Sequence, residues 1–393
     1  MQKFCTFFYA YYLLFIRLGL NPTLYRMNSP LSKSGRLVSL DTFRGLTMFL
    51  LIAEAAFVYE SLLEAFPDPG ILNSFFTQFT HHPWNGLRFW DLIQPFFMFI
   101  VGVAMPFSLN KRLENQENRS EVTKHILKRC FYLFLFGTGL HCIYSGELVF
   151  ELWNVLTQLS FTILVTYFLI SKSWKIQLGV SVALLLLTEF LYRIYNPETP
   201  YEHGTNFGNY IDMILMGQIN GGGWVAINCI PTAAHTIWGA ICGNLLLSKK
   251  SDQDKIKTLT IAGVIALIIG YGLDLTGITP IIKRISTSSF ALASGGWALI
   301  TLAFSFWLID VKKFQSKAFP FIIVGMNSIF IYLFAEILGH RWLFRTIRIF
   351  TDGFLGPIGL GEHFIAVITS FITLACMWGL CYFLYKKKIF FRI

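Results

Sequence analysis

The chain has 393 residues, of which 54% are hydrophobic and only 14% are charged. Soluble domains average about 25% charged residues, so this composition excludes an ordinary soluble protein and indicates a polytopic membrane protein. The net charge of +10 is explained by basic loops on the cytoplasmic side of a membrane, and we predict no nucleic-acid partner.

Residues 1–35 form an N-terminal lead that is cytoplasmic or interfacial. Its apolar stretch, Phe4–Ile16, is too short to cross a bilayer and lacks the basic start and cleavage site of a secretory signal. Either this stretch lies in the membrane interface, or translation starts at Met27. We favour the start at Met27 and assign residues 36–393 to one transmembrane domain.

Apolar stretches of about 20 residues, the length that spans a bilayer as a helix, recur through the rest of the chain. They predict an all-α polytopic bundle of about ten transmembrane helices, in which both termini are cytoplasmic. The predicted spans are 45–63, 89–109, 126–144, 153–171, 175–194, 229–248, 257–277, 288–309, 319–339 and 363–385.

The basic residues set the orientation, because Lys and Arg concentrate in cytoplasmic loops. With both termini inside, only seven of the 32 basic residues lie outside: Arg88, Arg193, Lys283, Arg284, Arg341, Arg345 and Arg348. The seven cysteines show no metal-ligand or CxxC spacing. We therefore predict neither a disulfide framework nor a metal site.

The start of the first span carries Asp41 and Arg44 within the segment Ser39–Gly45. A carboxylate at a helix N-terminus and an arginine nearby suit a capped helix start. The same arginine is also suited to contact a phosphate group. The residues alone leave both interpretations open.

The segment from His81 to Asp91 leads directly into the second span. Pro83 and Gly86 between them allow the chain to turn, so the imidazole and the carboxylate can meet. A histidine paired with a carboxylate serves as a general base or as a nucleophile that carries an acyl group. An Asp that caps the helix beside an interfacial aromatic belt is the equally balanced alternative.

Three further regions carry polar groups that need a partner. The outer loop Tyr195–Asn228, which contains Asp212, has the aromatic and amide content of a carbohydrate site and also that of a surface loop. Lys283 lies outside against the orientation rule, which indicates a local role. Asn327 is suited to hydrogen bonding inside the bundle, next to Gly325, where helices can approach closely.

Polar groups within the spans are expected to face the bundle interior or a wet cavity, where they contact substrate, relay protons or pair with one another. They are Glu54, Glu189, His235, Asp274, Asn327 and Glu336.

Taken together, these segments resemble the heparan-alpha-glucosaminide N-acetyltransferase family of transmembrane acyltransferases. The resemblance runs from about Arg36 to the C-terminus. The matching residues are Arg36–Gly45, His81 with Trp84-Asn85-Gly86, Asp91–Pro95, Val155-Leu156 with Gln158-Leu159, Tyr210-Ile211-Asp212 with Gly217, Pro280 with Lys283, Gly325–Ser328 and Tyr385–Phe390.

The resemblance implies a transferase that moves an acetyl group from cytosolic acetyl-CoA to an amino sugar outside the cytoplasm. It makes His81 the active-site histidine, with Asp91 as its acidic partner. Acetyl-CoA would be the donor, with no permanently bound cofactor. Its phosphates would lie near Asp41 and Arg44 or near the lysines of the cytoplasmic loops. The acceptor would contact Trp84, Asn85, Asp212, Lys283 and Asn327.

The resemblance further implies a multi-pass protein of a bacterial inner membrane, with the lipid bilayer as its surroundings and a homodimer as a possible assembly. Family members often carry Asp-Pro-Glu-Gly before the sixth span, where this chain has Val225–Cys229. They also place an Asn in the first span, where this chain has Ala55. Both differences lie in the part of the protein where the resemblance places the acceptor.

The residues alone leave two other functions open. Ten spans with buried carboxylates also suit a permease for an amino sugar or a cell-wall fragment. The same machinery would equally serve O-acylation of a surface polysaccharide, in which the acceptor atom is an oxygen.

Overall fold

The computed structural model describes residues 37–116 and 118–391, and every regular element in those ranges is helical. The all-α class predicted from the composition is therefore confirmed. The lead at residues 1–35, with the start predicted at Met27, lies outside the described residues.

The described residues form fifteen α-helices. They are α1 (Val38–Ala55), α2 (Val58–Ala65), α3 (Ile71–Thr77), α4 (Ile93–Glu114), α5 (Arg119–Ser145), α6 (Val155–Leu169), α7 (Trp174–Tyr195), α8 (Phe207–Met216), α9 (Cys229–Leu247), α10 (Asp252–Leu275), α11 (Ser288–Ser305), α12 (Gln315–Met326), α13 (Ser328–Phe334), α14 (Phe344–Leu355) and α15 (Glu362–Lys386).

Short turns of other helical types link some of these helices. Two 3₁₀ turns, Phe89–Leu92 and Ala226–Asn228, lead into α4 and α9, and two π-helical segments, Phe306–Val311 and Ala335–Leu343, follow α11 and α13. The chain divides into two compact units. The described residues 37–68 and 314–391 form the first, and Pro69–Lys313 form the second.

Six helices in the described part of the chain are long and apolar enough to cross a membrane, which makes this a multi-pass membrane protein. Two further candidates are bent pairs: α1 with α2 at 58°, and α12 with the helical run Ser328–Leu355 at 67°. The other two predicted spans correspond to α6, of 15 residues, and α9, of 19 residues. The count of ten and the cytoplasmic termini stay predictions.

Glycines allow two helices of the second unit to cross in contact. A Cβ atom on Gly102 of α4 would lie 2.0 Å from the carbonyl oxygen of Thr236 in α9. One on Gly239 of α9 would lie 2.2 Å from the carbonyl oxygen of Phe99. Small residues let helix backbones approach closely inside membranes, so α9 is held directly against the helix that begins just after Asp91.

The first unit contains a similar crossing. A Cβ atom on Gly45 of α1 would lie 1.9 Å from the carbonyl oxygen of Phe321, and one on Gly325 would lie 3.0 Å from the Gly45 Cα. The close helix approach that the sequence indicates at Gly325 is therefore present.

Candidate active site

The site is built around Asp91, which lies in the short turn that begins α4 and is only 1% exposed. Its Oδ2 accepts hydrogen bonds from the backbone N–H groups of Arg88, at 2.9 Å, and His82, at 3.2 Å. Its Oδ1 lies 3.1 Å from Nδ1 of His81. One buried carboxylate thus closes the chain segment 81–88 into a loop and fixes the imidazole at its start.

His81 is oriented by that contact. His81 Nδ1 lies 3.1 Å from the Asp91 carboxylate, which only accepts hydrogen bonds, and 3.1 Å from the Lys283 ammonium group, which only donates them. We assign the proton to Nδ1, where it is donated to Asp91, because the ammonium group can direct its own protons to Asp91 Oδ1 at 3.6 Å. In this tautomer Nε2 carries the lone pair, and the Lys283 contact with Nδ1 is a contact of charges and not a hydrogen bond. Among the described residues, Nε2 has no hydrogen-bond partner, and the side chain is 38% exposed. The ring is therefore held at one nitrogen and available at the other, as a general base or nucleophile must be.

Lys283 completes the cluster from a distant part of the sequence. Its Nζ lies 3.1 Å from His81 Nδ1 and 3.6 Å from Asp91 Oδ1, and its side chain is 7% exposed. The ammonium group also lies 5.4 Å from the centroid of the Trp224 ring, as in a cation–π contact. The same indole ring packs edge-on against His81, at 5.7 Å between ring centroids.

The surroundings of His81 favour its neutral form. Burial lowers the pKa of the imidazole, and the positive charges of Lys283 and Arg284 lower it further. The hydrogen bond and the charge of Asp91 act in the opposite direction, but the pKa remains below the ordinary value of 6.5. The imidazole is therefore uncharged near neutral pH.

The loop between His81 and Asp91 is anchored at its tip. Gly86 has a φ of +144°, and a Cβ atom there would lie 2.5 Å from the His82 ring, so only glycine is accommodated. Its N–H donates to the carbonyl oxygen of Ile281 at 2.8 Å. The indole N–H of Trp84 donates to the carbonyl oxygen of Tyr201 at 3.2 Å.

The tip leaves one predicted acceptor residue at the surface. Asn85 lies between the two anchors and is exposed. Trp84 is partly buried against a small core formed by Tyr192, Val225, Ile282 and Ile285. Its ring therefore helps to hold the loop in place.

Two half-buried carboxylates hold the segment that carries Lys283. Asp274 Oδ1 accepts the N–H of Ile281 at 2.8 Å, and Glu189 Oε1 accepts the hydroxyl of Thr279 at 2.9 Å. The N–H of Ser286 donates to the carbonyl oxygen of Lys283 at 2.9 Å, which closes a turn. These in-span acids therefore pair with the backbone and side chains that place Lys283.

Asp212, predicted to contact the acceptor, is fully buried in α8. Its Oδ2 accepts the indole N–H of Trp153 at 2.8 Å, and its Oδ1 accepts the N–H of Ala226 at 2.9 Å. Burial raises the pKa of this carboxyl to about 6, although both hydrogen bonds oppose the shift. Both oxygens serve the protein itself, and direct contact with the acceptor stays a prediction.

The remaining predicted residues belong to the first unit. Asn327 Nδ2 donates to the carbonyl oxygen of Ile389 at 3.1 Å, and its Oδ1 accepts the N–H of Phe391 at 2.9 Å. This side chain therefore holds the C-terminal segment of its own unit. Asp41 lies in the first turn of α1, 4.0 Å from the Arg44 guanidinium, and their predicted contact with a phosphate stays a prediction.

Sequence reasoning missed two residues of this site. Trp224 follows three glycines in a loop, and nothing in its sequence context indicates that its ring contacts both His81 and Lys283. Arg88 was counted only as a basic residue outside the membrane. Its Nη1 donates to the carbonyl oxygen of His81 at 2.9 Å and to Thr80 Oγ1 at 2.7 Å, which stiffens the loop.

Comparison with known proteins places this geometry in context. A family model described as a domain of unknown function, DUF5009, matches residues 36–216. The chain is 23% identical to the heparan-alpha-glucosaminide N-acetyltransferase of Mus musculus, over 94% of this chain and 62% of that protein. It is 24% identical to the Homo sapiens protein of the same name, over 91% of this chain and 60% of that protein.

These similarities confirm the resemblance predicted from the motifs. The chain spans about three fifths of the length of the curated relatives it matches. The match to the family model includes His81 and Asp91, and the part of the site that carries Lys283 lies beyond it.

Proposed function

We propose that this protein is a membrane acetyltransferase that moves an acetyl group from acetyl-CoA on the cytoplasmic side to the amine of a glucosamine-like sugar on the outer side. The observation that carries the proposal is the pairing of His81 Nδ1 with the buried Asp91 carboxylate at 3.1 Å. Within the described part of the chain, this pairing leaves the second ring nitrogen, Nε2, without a hydrogen-bond partner. The names of the two mammalian relatives supply the reaction class.

In this proposal, His81 acts as the general base. The sugar amine attacks the thioester carbonyl carbon, the new C–N bond forms, and the C–S bond to coenzyme A breaks. His81 Nε2 takes the proton that the amine loses and passes it to the departing thiolate, which leaves as free coenzyme A. The Asp91 carboxylate holds the ring and stabilises the imidazolium between the two transfers.

A second route uses the same nitrogen as a nucleophile. Nε2 attacks the thioester, coenzyme A leaves, and the acetyl group rests on His81 until the amine takes it. Rapid mixing with labelled acetyl-CoA in the absence of acceptor separates the two routes. Label on the peptide that contains His81 indicates the acetyl-enzyme route, and an unlabelled peptide indicates direct transfer.

The donor and acceptor residues follow the sequence predictions. Arg44, with Asp41 beside it, is proposed to contact the phosphates of acetyl-CoA, because a guanidinium is suited to bidentate phosphate contacts. Among the predicted acceptor residues, Asn85 is exposed and lies near His81 in the sequence. Its amide is proposed to hydrogen-bond sugar hydroxyls. Trp84 beside it supplies an apolar ring face.

The test uses the purified full chain in lipid vesicles that contain labelled acetyl-CoA, with glucosamine outside. Appearance of N-acetylglucosamine in the outer solution supports the proposal. N-Acetylglucosamine as acceptor is the matched control, because it lacks a free amine. Its acetylation would instead indicate O-acylation.

Vesicles that contain the same protein but no acetyl-CoA test whether it is a permease. Labelled glucosamine that accumulates inside without any acetyl-CoA, together with no acetyl transfer, would overturn the transferase proposal.

A further inference from the structure

The feature that the proposed chemistry leaves unused is a buried ammonium group in contact with the base. Lys283 is 7% exposed, and its Nζ lies 3.1 Å from His81 Nδ1 and 3.6 Å from Asp91 Oδ1. From the sequence, this lysine was expected to bind the acceptor. In the structure, its ammonium group contacts both His81 and Asp91, the two residues to which we assign the proton transfer.

We infer that Lys283 is a positioning residue, which balances the charge of Asp91 and so keeps His81 uncharged and able to accept a proton. The part of the inference that concerns the rate of acetyl transfer rests on the proposed function. The electrostatic part concerns the imidazole alone and is measurable without any acetyl transfer.

The charge balance of the cluster supports the inference. A buried carboxylate beside an imidazole ordinarily stabilises the imidazolium, because the ion pair is then neutral. Here Asp91 is already neutralised by Lys283, so a proton on His81 would leave a net positive charge in a largely buried cluster. A base that is already protonated takes no proton from an amine. The charge of Lys283 keeps His81 unprotonated and therefore favours catalysis.

Arg284 acts on the imidazole in the same direction as Lys283, because its positive charge lowers the pKa of the ring. The Arg88 side chain donates to the His81 carbonyl oxygen at 2.9 Å. Asp91 is the one group among these that favours the imidazolium. Loss of the lysine charge would therefore leave Asp91 to hold a proton on the ring.

The conformation of the chain around Lys283 is fixed independently of any ligand. The Ser286 N–H closes a turn on the Lys283 carbonyl oxygen, and the side chain of Asn228 donates to the carbonyl oxygen of Arg284 at 3.2 Å. The Trp224 ring lies against the ammonium group. A side chain held in this way is directed at His81 and Asp91 before any substrate binds.

The experiment compares the wild-type chain with Lys283→Met, which removes the charge, and Lys283→Arg, which keeps it. Two quantities are measured against pH. One is kcat/KM for acetyl transfer, calculated per uncharged amine of the sugar, and the other is the rate at which diethylpyrocarbonate modifies His81, followed by peptide mass mapping. The second reports the uncharged imidazole whether or not transfer occurs. Lys283→Gln, which keeps a donor for Asp91, replaces Lys283→Met if that variant does not fold.

We expect Lys283→Met to move the midpoint of both profiles upward by about one to three pH units, the range typical of a nearby charge. Lys283→Arg should keep the wild-type midpoint. In the double variant Asp91→Asn, Lys283→Met, the midpoint should fall below that of Lys283→Met, because no carboxylate then holds the proton.

An unchanged midpoint in Lys283→Met and Lys283→Gln, with a raised KM for the sugar, would overturn the inference and make Lys283 an acceptor contact. If the wild-type chain transfers no acetyl group and the modification profile still shifts, the proposed function fails and the role of Lys283 stands. If acetyl transfer occurs and neither profile shifts, the proposed function stands and the role inferred for Lys283 fails.

Discussion

At the scale of single residues, the protonation state of His81 sets the pH range of the proposed reaction. Its pKa lies below the ordinary value of 6.5, chiefly because the ring is partly buried and because it faces Lys283. The uncharged form is therefore the larger fraction at pH 6.5 and is lost as the pH falls further. We expect kcat/KM, calculated per uncharged amine of the sugar, to be constant at neutral pH and to fall with an acid limb centred below pH 6.5.

The measurement is the pH dependence of kcat/KM for acetyl transfer at saturating acetyl-CoA, calculated per uncharged amine of the sugar, because a protonated amine cannot attack the thioester. An acid limb centred above pH 6.5 would show that Asp91 dominates the surroundings of His81, contrary to the electrostatics described here.

The pairing of His81 with Asp91 could be predicted from the sequence, because ten residues with a proline and a glycine between them allow a short closed loop. The contact with Lys283 could not. It joins residues 202 positions apart and depends on a turn whose conformation is set by tertiary hydrogen bonds. The sequence indicated only that this lysine lies on the unusual side of the membrane.

At the scale of helices, the crossing of α4 and α9 is expected to be sensitive to a single methyl group. Gly102→Ala would place Cβ 2.0 Å from the Thr236 carbonyl oxygen, so the backbones must separate. We expect a loss of about 1–3 kcal/mol in stability, typical of overpacking, and a lower thermal unfolding temperature.

The matched control is Gly179→Ala in α7, where no atom lies within 4 Å of the added Cβ. This variant should be neutral or stabilising by up to about 1 kcal/mol, from helix propensity alone. Equal unfolding temperatures for the two variants, measured in the same detergent, would show that the crossing is looser than described.

Hydropathy predicted where apolar helices lie but not where they break. The predicted span 45–63 is divided into α1 and α2 at Phe57, which has a φ of +60°. The predicted span 319–339 is divided at Asn327, whose backbone leaves the helical region. Both breaks occur within apolar stretches, where hydropathy does not register a change in backbone direction.

At the scale of the whole molecule, the distribution of Lys and Arg predicts which loops face the cytoplasm. Asn85 and Lys387 are both exposed and are predicted on opposite sides. In right-side-out membrane vesicles, a membrane-impermeant maleimide should label Asn85→Cys directly. It should label Lys387→Cys only after the membrane is opened.

The parental chain, labelled in parallel, supplies the background from its own cysteines, among which Cys376 is exposed. Labelling of both variants before the membrane is opened would reject the predicted topology. It would also place the loop of His81 on the same side as the basic C-terminal segment.

The central claim is that the imidazole of His81 carries the proton in acetyl transfer, and its neighbour His82 offers a matched control. His82 contributes its backbone N–H to Asp91, which a side-chain substitution keeps. The most direct measurement compares labelled acetyl transfer to glucosamine by His81→Gln and His82→Gln, both confirmed as folded by thermal unfolding. The account predicts a loss of at least about 100-fold for His81→Gln, as expected for a general base, and a rate within about threefold of wild type for His82→Gln. Transfer at the wild-type rate by folded His81→Gln would contradict it.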